Sequence, residues 1–254
     1  MSAFFGVVYY EYRMAIRRWG LWLAFGLSGL PFALRFAELD AQTVRAANLS
    51  LAGAVALSLN FMMPVVAGIV IADRLTRDRQ LGTWELLAAT PLSRQGYVLG
   101  KYAGAVLATL TPVLATLLLV AGLLVGRGAA PTLLLQALVA FLAINVPAHL
   151  FVAAFSLACP ALLPVRVYQV LYTGYWFWGN FLNPKAIPTL AGTLLTPGGQ
   201  FVAGAFFQAS FGDPAASAGY TPLQAGLNVA VLLACAAGAL AALERYLAWQ
   251  DRRA

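Results

Sequence analysis

Charge is scarce in this sequence, and the scarcity decides more than any motif does. Only 10% of the 254 residues are charged, where a soluble domain carries about a quarter. Cysteine is nearly absent: Cys159 and Cys235 both lie in apolar runs, which excludes a disulfide framework and any C-x-x-C pair. A single histidine, His149, excludes a histidine-based metal centre. No secretory leader is expected, because Glu11, Arg13, Arg17 and Arg18 fall where its apolar core and cleavage site would be.

What fills the space is apolar. Hydrophobic residues make up 61% of the chain, and the mean hydropathy is +0.79. The runs 46–72, 102–126, 128–165 and 214–243 are free of charge, and each exceeds the roughly 20 residues that cross a bilayer as helix. The chain therefore reads as an all-α polytopic membrane protein in one transmembrane domain, 1–254. The net charge of +7 then reflects orientation in the bilayer, and no nucleic-acid partner is expected.

Six transmembrane helices are expected, at about 19–37, 49–72, 102–125, 133–159, 167–182 and 223–243. Before them, Phe5, Val8, Tyr9, Tyr12, Ala15, Ile16 and Trp19 recur at helical spacing, with Glu11, Arg13, Arg17 and Arg18 on the other face. That pattern predicts an N-terminal amphipathic surface helix over 1–18, lying on the lipid bilayer. Tyr172, Tyr175, Trp176, Phe177 and Trp178 read as an interfacial aromatic belt. Between spans 5 and 6, the uncharged run 186–212 is broken by Thr196-Pro197-Gly198-Gly199-Gln200. Its halves are too short to cross, which predicts an extracytoplasmic re-entrant segment within 184–221. With both termini cytoplasmic, 12 of the 16 Lys and Arg lie inside, as the positive-inside bias requires of a multi-pass protein of the cytoplasmic (inner) membrane.

Three stretches resemble catalytic chemistry without supplying it. Gly96-Tyr-Val-Leu-Gly100-Lys101-Tyr102 has three residues between its glycines where a phosphate loop has four, and Tyr where magnesium needs Ser or Thr. Gly26-Leu-Ser28-Gly29 with His149 would suit an intramembrane serine protease, but glycines of this kind more often let membrane helices approach closely. His149 and Asn145 beside Pro147 are candidates for a polar, kinked intramembrane segment or for the lining of a pathway. The favoured reading is a neutral His149 bonded to a carbonyl that Pro147 frees. No carboxylate lies inside any predicted span to complete a proton relay, so no cofactor, metal or catalytic site is expected in this chain.

The densest polarity is the cytoplasmic loop 73–101, which holds eight of the 25 charged residues. Its first part, 73–80, alternates charge as a solvated extension of span 2. Gly82 stops that helix. Thr83 caps a two-turn stub from Trp84 to about Ala89, with Glu85 in the first turn where the helix dipole favours a carboxylate. Pro91 ends the stub, and Ser93 caps the next helix, which runs through Lys101 into span 3. Trp84, Leu86 and Leu87 are large and apolar at a cytoplasmic position, which suits docking into a groove of a protein partner; packing on the chain's own helix ends is the alternative.

The run Gly82-Thr83-Trp84-Glu85-Leu86-Leu87, then Thr90-Pro91-Leu92-Ser93 and Gly100-Lys101, resembles the first cytoplasmic loop of permease subunits of type-two ATP-binding-cassette (ABC) transporters. The surface helix, the six spans and the re-entrant segment are similar too. This chain departs in having Gln80-Leu81 where the family often places Glu before Gly-Thr. The resemblance implies an exporter permease that forms half of a dimeric pathway with a second copy or a related permease. It implies that Gly82, Thr83, Trp84, Glu85, Leu86, Leu87, Pro91 and Ser93 couple the permease to a separate ABC ATPase subunit, which binds the ATP. A non-transporting membrane anchor that docks a cytoplasmic partner is the alternative function.

Overall fold

The computed structural model describes residues 3–80, 82, 93–182, 184–211 and 219–252. Among these every regular element is helical. They run α1 (Ala3–Ile16), α2 (Trp19–Ala37), α3 (Ala41–Arg45), α4 (Leu49–Ile71), α5 (Arg74–Gln80), α6 (Arg94–Gly126), α7 (Thr132–Ala140), α8 (Val146–Ala158), α9 (Val165–Phe181), α10 (Gln200–Phe207) and α11 (Pro222–Asp251). A π-helical turn, Phe141–Asn145, joins α7 to α8, and a 3₁₀ turn, Cys159–Ala161, follows α8.

Five stretches are long and apolar enough to cross a membrane: Trp19–Ala37, Leu49–Asp78, Arg94–Gly126, Thr132–Ala161 and Pro222–Gln250. The expected fifth span corresponds to α9, which has 17 residues. At 1.5 Å per residue it is about 25 Å long, short of a hydrocarbon core of about 30 Å. The segment after it forms turns and the eight-residue α10.

Helix ends follow local chemistry. Asp40, Asn48 and Ser93 each accept backbone N–H bonds from the first turn of the helix they precede. Thr221 and Gln224 form a reciprocal capping box at the start of α11. The π turn ends two residues before Pro147, and Val146 N–H reaches back to Phe141 O; the proline cannot donate, and the wider turn absorbs the irregularity.

The central helix is α4, whose span is 67% buried, against 22% for α2 and 28% for α11. Small residues set how closely its neighbours come. A Cβ on Gly53 would stand 2.3 Å from Phe207 Cβ of α10, and one on Gly68 2.2 Å from the Tyr172 ring of α9. A Cβ on Gly29 would stand 2.7 Å from Met63, while Ser28 donates to Phe25 O of its own helix. Gly29 is therefore the close-approach residue of Gly-Leu-Ser-Gly.

The aromatic belt needs correction. Tyr172 and Trp176 are buried. Gln169, Tyr172 and Trp176 share one face of α9 and donate to Ile69 O, Pro64 O and Phe61 O of α4. These aromatic residues dock a helix by hydrogen bonding to the backbone beside a proline; Trp178, 39% exposed, remains at the surface.

Candidate functional site

Two buried polar clusters stand out, one just beyond the C-terminal end of α4 and one beside its middle, around Asn60. The first lies where α5 ends and α6 begins. Glu11 of α1 is 2% exposed and accepts from Arg74 Nη1 of α5 at 3.1 Å and from Lys101 Nζ of α6 at 2.8 Å. Lys101 Nζ also lies 2.7 Å from Asp78 Oδ2, which accepts from Tyr97 Oη at 2.5 Å. The Tyr97 ring lies under the same ammonium, 5.6 Å from its centroid. Arg74 Nε donates to Val70 O at 3.4 Å.

Burial on this scale requires that every charge be answered, because an isolated buried ion is far more costly than a paired one. One carboxylate oxygen of Glu11 meets each cation, and Asp78 is the second acid for Lys101. The arrangement ties α1, the end of α5 and the start of α6 together. Close approach makes it possible: a Cβ on Gly104 would stand 2.7 Å from Glu11 Cβ and 2.9 Å from Val8 O, and one on Gly100 2.9 Å from Val7 Cβ.

The expected polarity of α1 is therefore revised. Glu11 does not share the face of Arg13 and Arg17; with Val7, Val8 and Ala15 it faces the protein, while Phe5, Tyr9, Tyr10 and Met14 are exposed. Nor is 73–80 simply solvated, since Arg74 and Leu75 are each 4% exposed. One sequence signal does point there. Gly96, Gly100 and Gly104 recur every four residues on one face of α6, as a helix does that must receive another helix. Lys101 beside that stripe then needs an acid, and Glu11 is the one acid before residue 38.

Of the expected coupling residues, Gly82 is exposed with φ +65, a conformation that glycine adopts without penalty. Ser93 Oγ accepts from Gly96 N at 3.1 Å and starts α6. Thr83, Trp84, Glu85, Leu86, Leu87 and Pro91 lie outside the described residues.

The second cluster is uncharged. Asn145 Nδ2 donates to Ala56 O at 2.9 Å and to Asn60 Oδ1 at 2.8 Å; Asn60 Nδ2 donates to Ile144 O at 3.2 Å and Gly198 O at 3.4 Å. His149 Nδ1 is 2.9 Å from Asn145 O, and since a carbonyl only accepts, that nitrogen carries the proton. The carbonyl is the one a turn before His149 itself, not the Ala143 carbonyl that Pro147 frees. All three side chains are at most 1% exposed; Asn145 and His149 thus belong to the interior of this chain. From other helices, Asn228 Nδ2 donates to Leu194 O and Thr196 O, and Gln200 Nε2 to Asn180 O. Amide side chains from α4 and α11 so hold carbonyls at the Thr196-Pro-Gly-Gly break, and Gln200 just after it ties α10 to α9. Gly199, at φ +88, begins α10 there, with space for a Cβ closed by Ile144 at 2.6 Å.

Among the described residues no group of His, Cys, Asp and Glu has metal-binding geometry. A family model described as "ABC-2 family transporter protein" matches residues 15–177. A search of curated proteins found no match.

Proposed function

This chain belongs to the ABC-2 transporter family as a permease subunit, and from that premise we propose that it forms half of an ATP-driven export pathway, moved by a separate ATPase through residues 82–91. The family implies the ATPase partner, and the chain is a multi-pass membrane protein. In the proposed arrangement α9 is a sixth, short span, the stretch between α9 and α11 is re-entrant on the outer face, and both termini lie in the cytoplasm. The bias of 12 of 16 Lys and Arg supports it. The second half of the pathway is another copy of this chain or a related permease.

The observation that carries the coupling role is the ion cluster around Glu11. A loop that receives a push from an ATPase transmits it only if its two ends move as one body with the bilayer helices. Arg74 and Asp78 before the loop, and Tyr97 and Lys101 after it, are joined through Glu11 and one another. Displacement of the stub therefore reaches α4, α6 and α1 together. ATP is bound and hydrolysed on the partner; Trp84, Glu85, Leu86 and Leu87 are the contact residues.

The test is co-purification of the chain with an ABC ATPase encoded beside it, followed by ATP-dependent transport in proteoliposomes. Glu85→Arg combined with Leu86→Asp is expected to abolish assembly and substrate-stimulated hydrolysis. If both persist, residues 82–91 are not the coupling element. Assembly without ATP-dependent transport would favour the anchoring role.

A further inference from the structure

We propose that the cleft between the base of α6 and the end of α11 binds a single-chain ammonium amphiphile, with Glu244 receiving the cationic head. The cleft has a volume of about 320 Å³ and is lined by Gln95, Val98, Leu99, Ala237, Leu240, Ala241 and Glu244, a size within the range of small-molecule sites. Its composition is uneven. Five residues are apolar, and Ala237 and Ala241 leave the floor shallow enough for a chain to lie between the helices. The two polar residues are the terminal ones of the lining, Gln95 at the start of the α6 stretch and Glu244 at the end of the α11 stretch.

With these helices antiparallel, as in the six-span arrangement, Gln95 and Glu244 share the end nearest the 81–92 loop. Leu99, which is 45% exposed, and Ala237 share the end that reaches toward the bilayer. From Ala237 to Glu244 is seven residues, about 10 Å of helix, a fitting length for a polar head followed by a short stretch of tail. Glu244 is only partly exposed and has no hydrogen bond or ion pair with any described residue, unlike Glu11 and Asp78. Among the described residues no cation lines the cleft. A half-buried carboxylate with no partner among the described residues, at the mouth of an apolar trough, favours an amine over a neutral or anionic amphiphile.

The proposal rests on the export reading for its purpose, since a site at the inner rim would gather cargo from the inner leaflet. Binding itself is measured on the permease alone. The full chain is placed in nanodiscs of phosphatidylcholine and phosphatidylglycerol and titrated with radiolabelled decylammonium, empty discs being subtracted. One saturable site per chain is expected. Decyl sulfate, of the same tail and opposite charge, should not compete. Glu244→Gln should weaken binding about tenfold, Glu244→Asp should retain most of it, and Ala241→Trp should fill the trough and remove it. Unchanged binding in both Glu244→Gln and Ala241→Trp would overturn the proposal, as would equal competition by decyl sulfate. Should Glu244→Gln not fold, Ala241→Trp and the sulfate competition decide alone. Loss of the site in discs containing phosphatidylethanolamine would assign it to bilayer lipid and equally overturn it. Binding without transport in the coupled assay would sink the export reading and leave the site; transport with no such binding would do the reverse.

Discussion

Two regions along α4 answer the same difficulty with different chemistry. Beyond its C-terminal end, buried polarity is ionic: Glu11, Arg74, Lys101 and Asp78. Beside its middle it is neutral, with Asn60, Asn145, Gln200 and Asn228 donating mainly to backbone carbonyls. Charges give strong, mutually dependent joints, in which removing one partner strands the others. Amides join a broken backbone with bonds that fail one at a time. The ionic cluster thus behaves as a single rigid part, and the amide cluster as a set of separable fastenings.

That contrast is broken most directly at Glu11. Glu11→Ala leaves Arg74 without a carboxylate partner of comparable burial and should destabilise the purified chain by about 3–5 kcal/mol in thermal or denaturant unfolding. It should also uncouple substrate-stimulated ATPase activity in the assembled complex; a loss below 1 kcal/mol with coupling intact would show the ionic cluster to be no single rigid part. In the amide cluster, Asn145→Leu should cost about 2 kcal/mol and act nearly additively with Asn228→Leu, since the two side chains share no partner. Strong non-additivity in that double-mutant cycle would make this cluster a single part as well. A third, smaller effect is steric: Gly104→Ala places a Cβ 2.7 Å from Glu11 Cβ and should cost about 1 kcal/mol, with loss of protection from proteolysis in α1. Gly53→Ala meets Phe207 Cβ at 2.3 Å and should loosen α10 instead, leaving α1 protected.

The smallest expected effect lies outside both clusters. Hydrogen bonds from the Thr43 side chain, then from backbone N–H groups, hold the Asp40 carboxyl below its ordinary value of 3.8. A carboxyl lowered by folding stabilises the fold above its unfolded value and loses that contribution as pH falls through the folded one. Stability attributable to the α3 cap should therefore be constant at neutral pH and fade only below about 3.8. Asp40→Asn should remove this pH dependence, read from unfolding midpoints between pH 5 and 3.

Much of the helical frame was legible because it is written in apolar run length and caps. Trp19, Leu49 and Ser93 stand at helix starts in the sequence reading and in the structure alike. Residues whose partner lies far along the chain were not legible. α1 carries two apolar surfaces, and period alone does not say which one faces protein, so in the sequence Glu11 groups with the arginines of the outer side. Tyr172 and Trp176 read as headgroup-level aromatics because composition does not record that Pro64 and its neighbours offer carbonyls to a helix more than a hundred residues away. The kink at Asn145 was visible from Pro147; that Asn60 would meet it was not.

The pairing of Glu11 with residues 63 and 90 positions downstream has a consequence for biogenesis. During synthesis α1 emerges before α6, with a carboxylate it cannot yet neutralise, while the glycine track that will receive it has not been translated. It can close against the bundle only once α6 is in place. A copy that has failed to insert α6 is thus recognisable by an unseated α1.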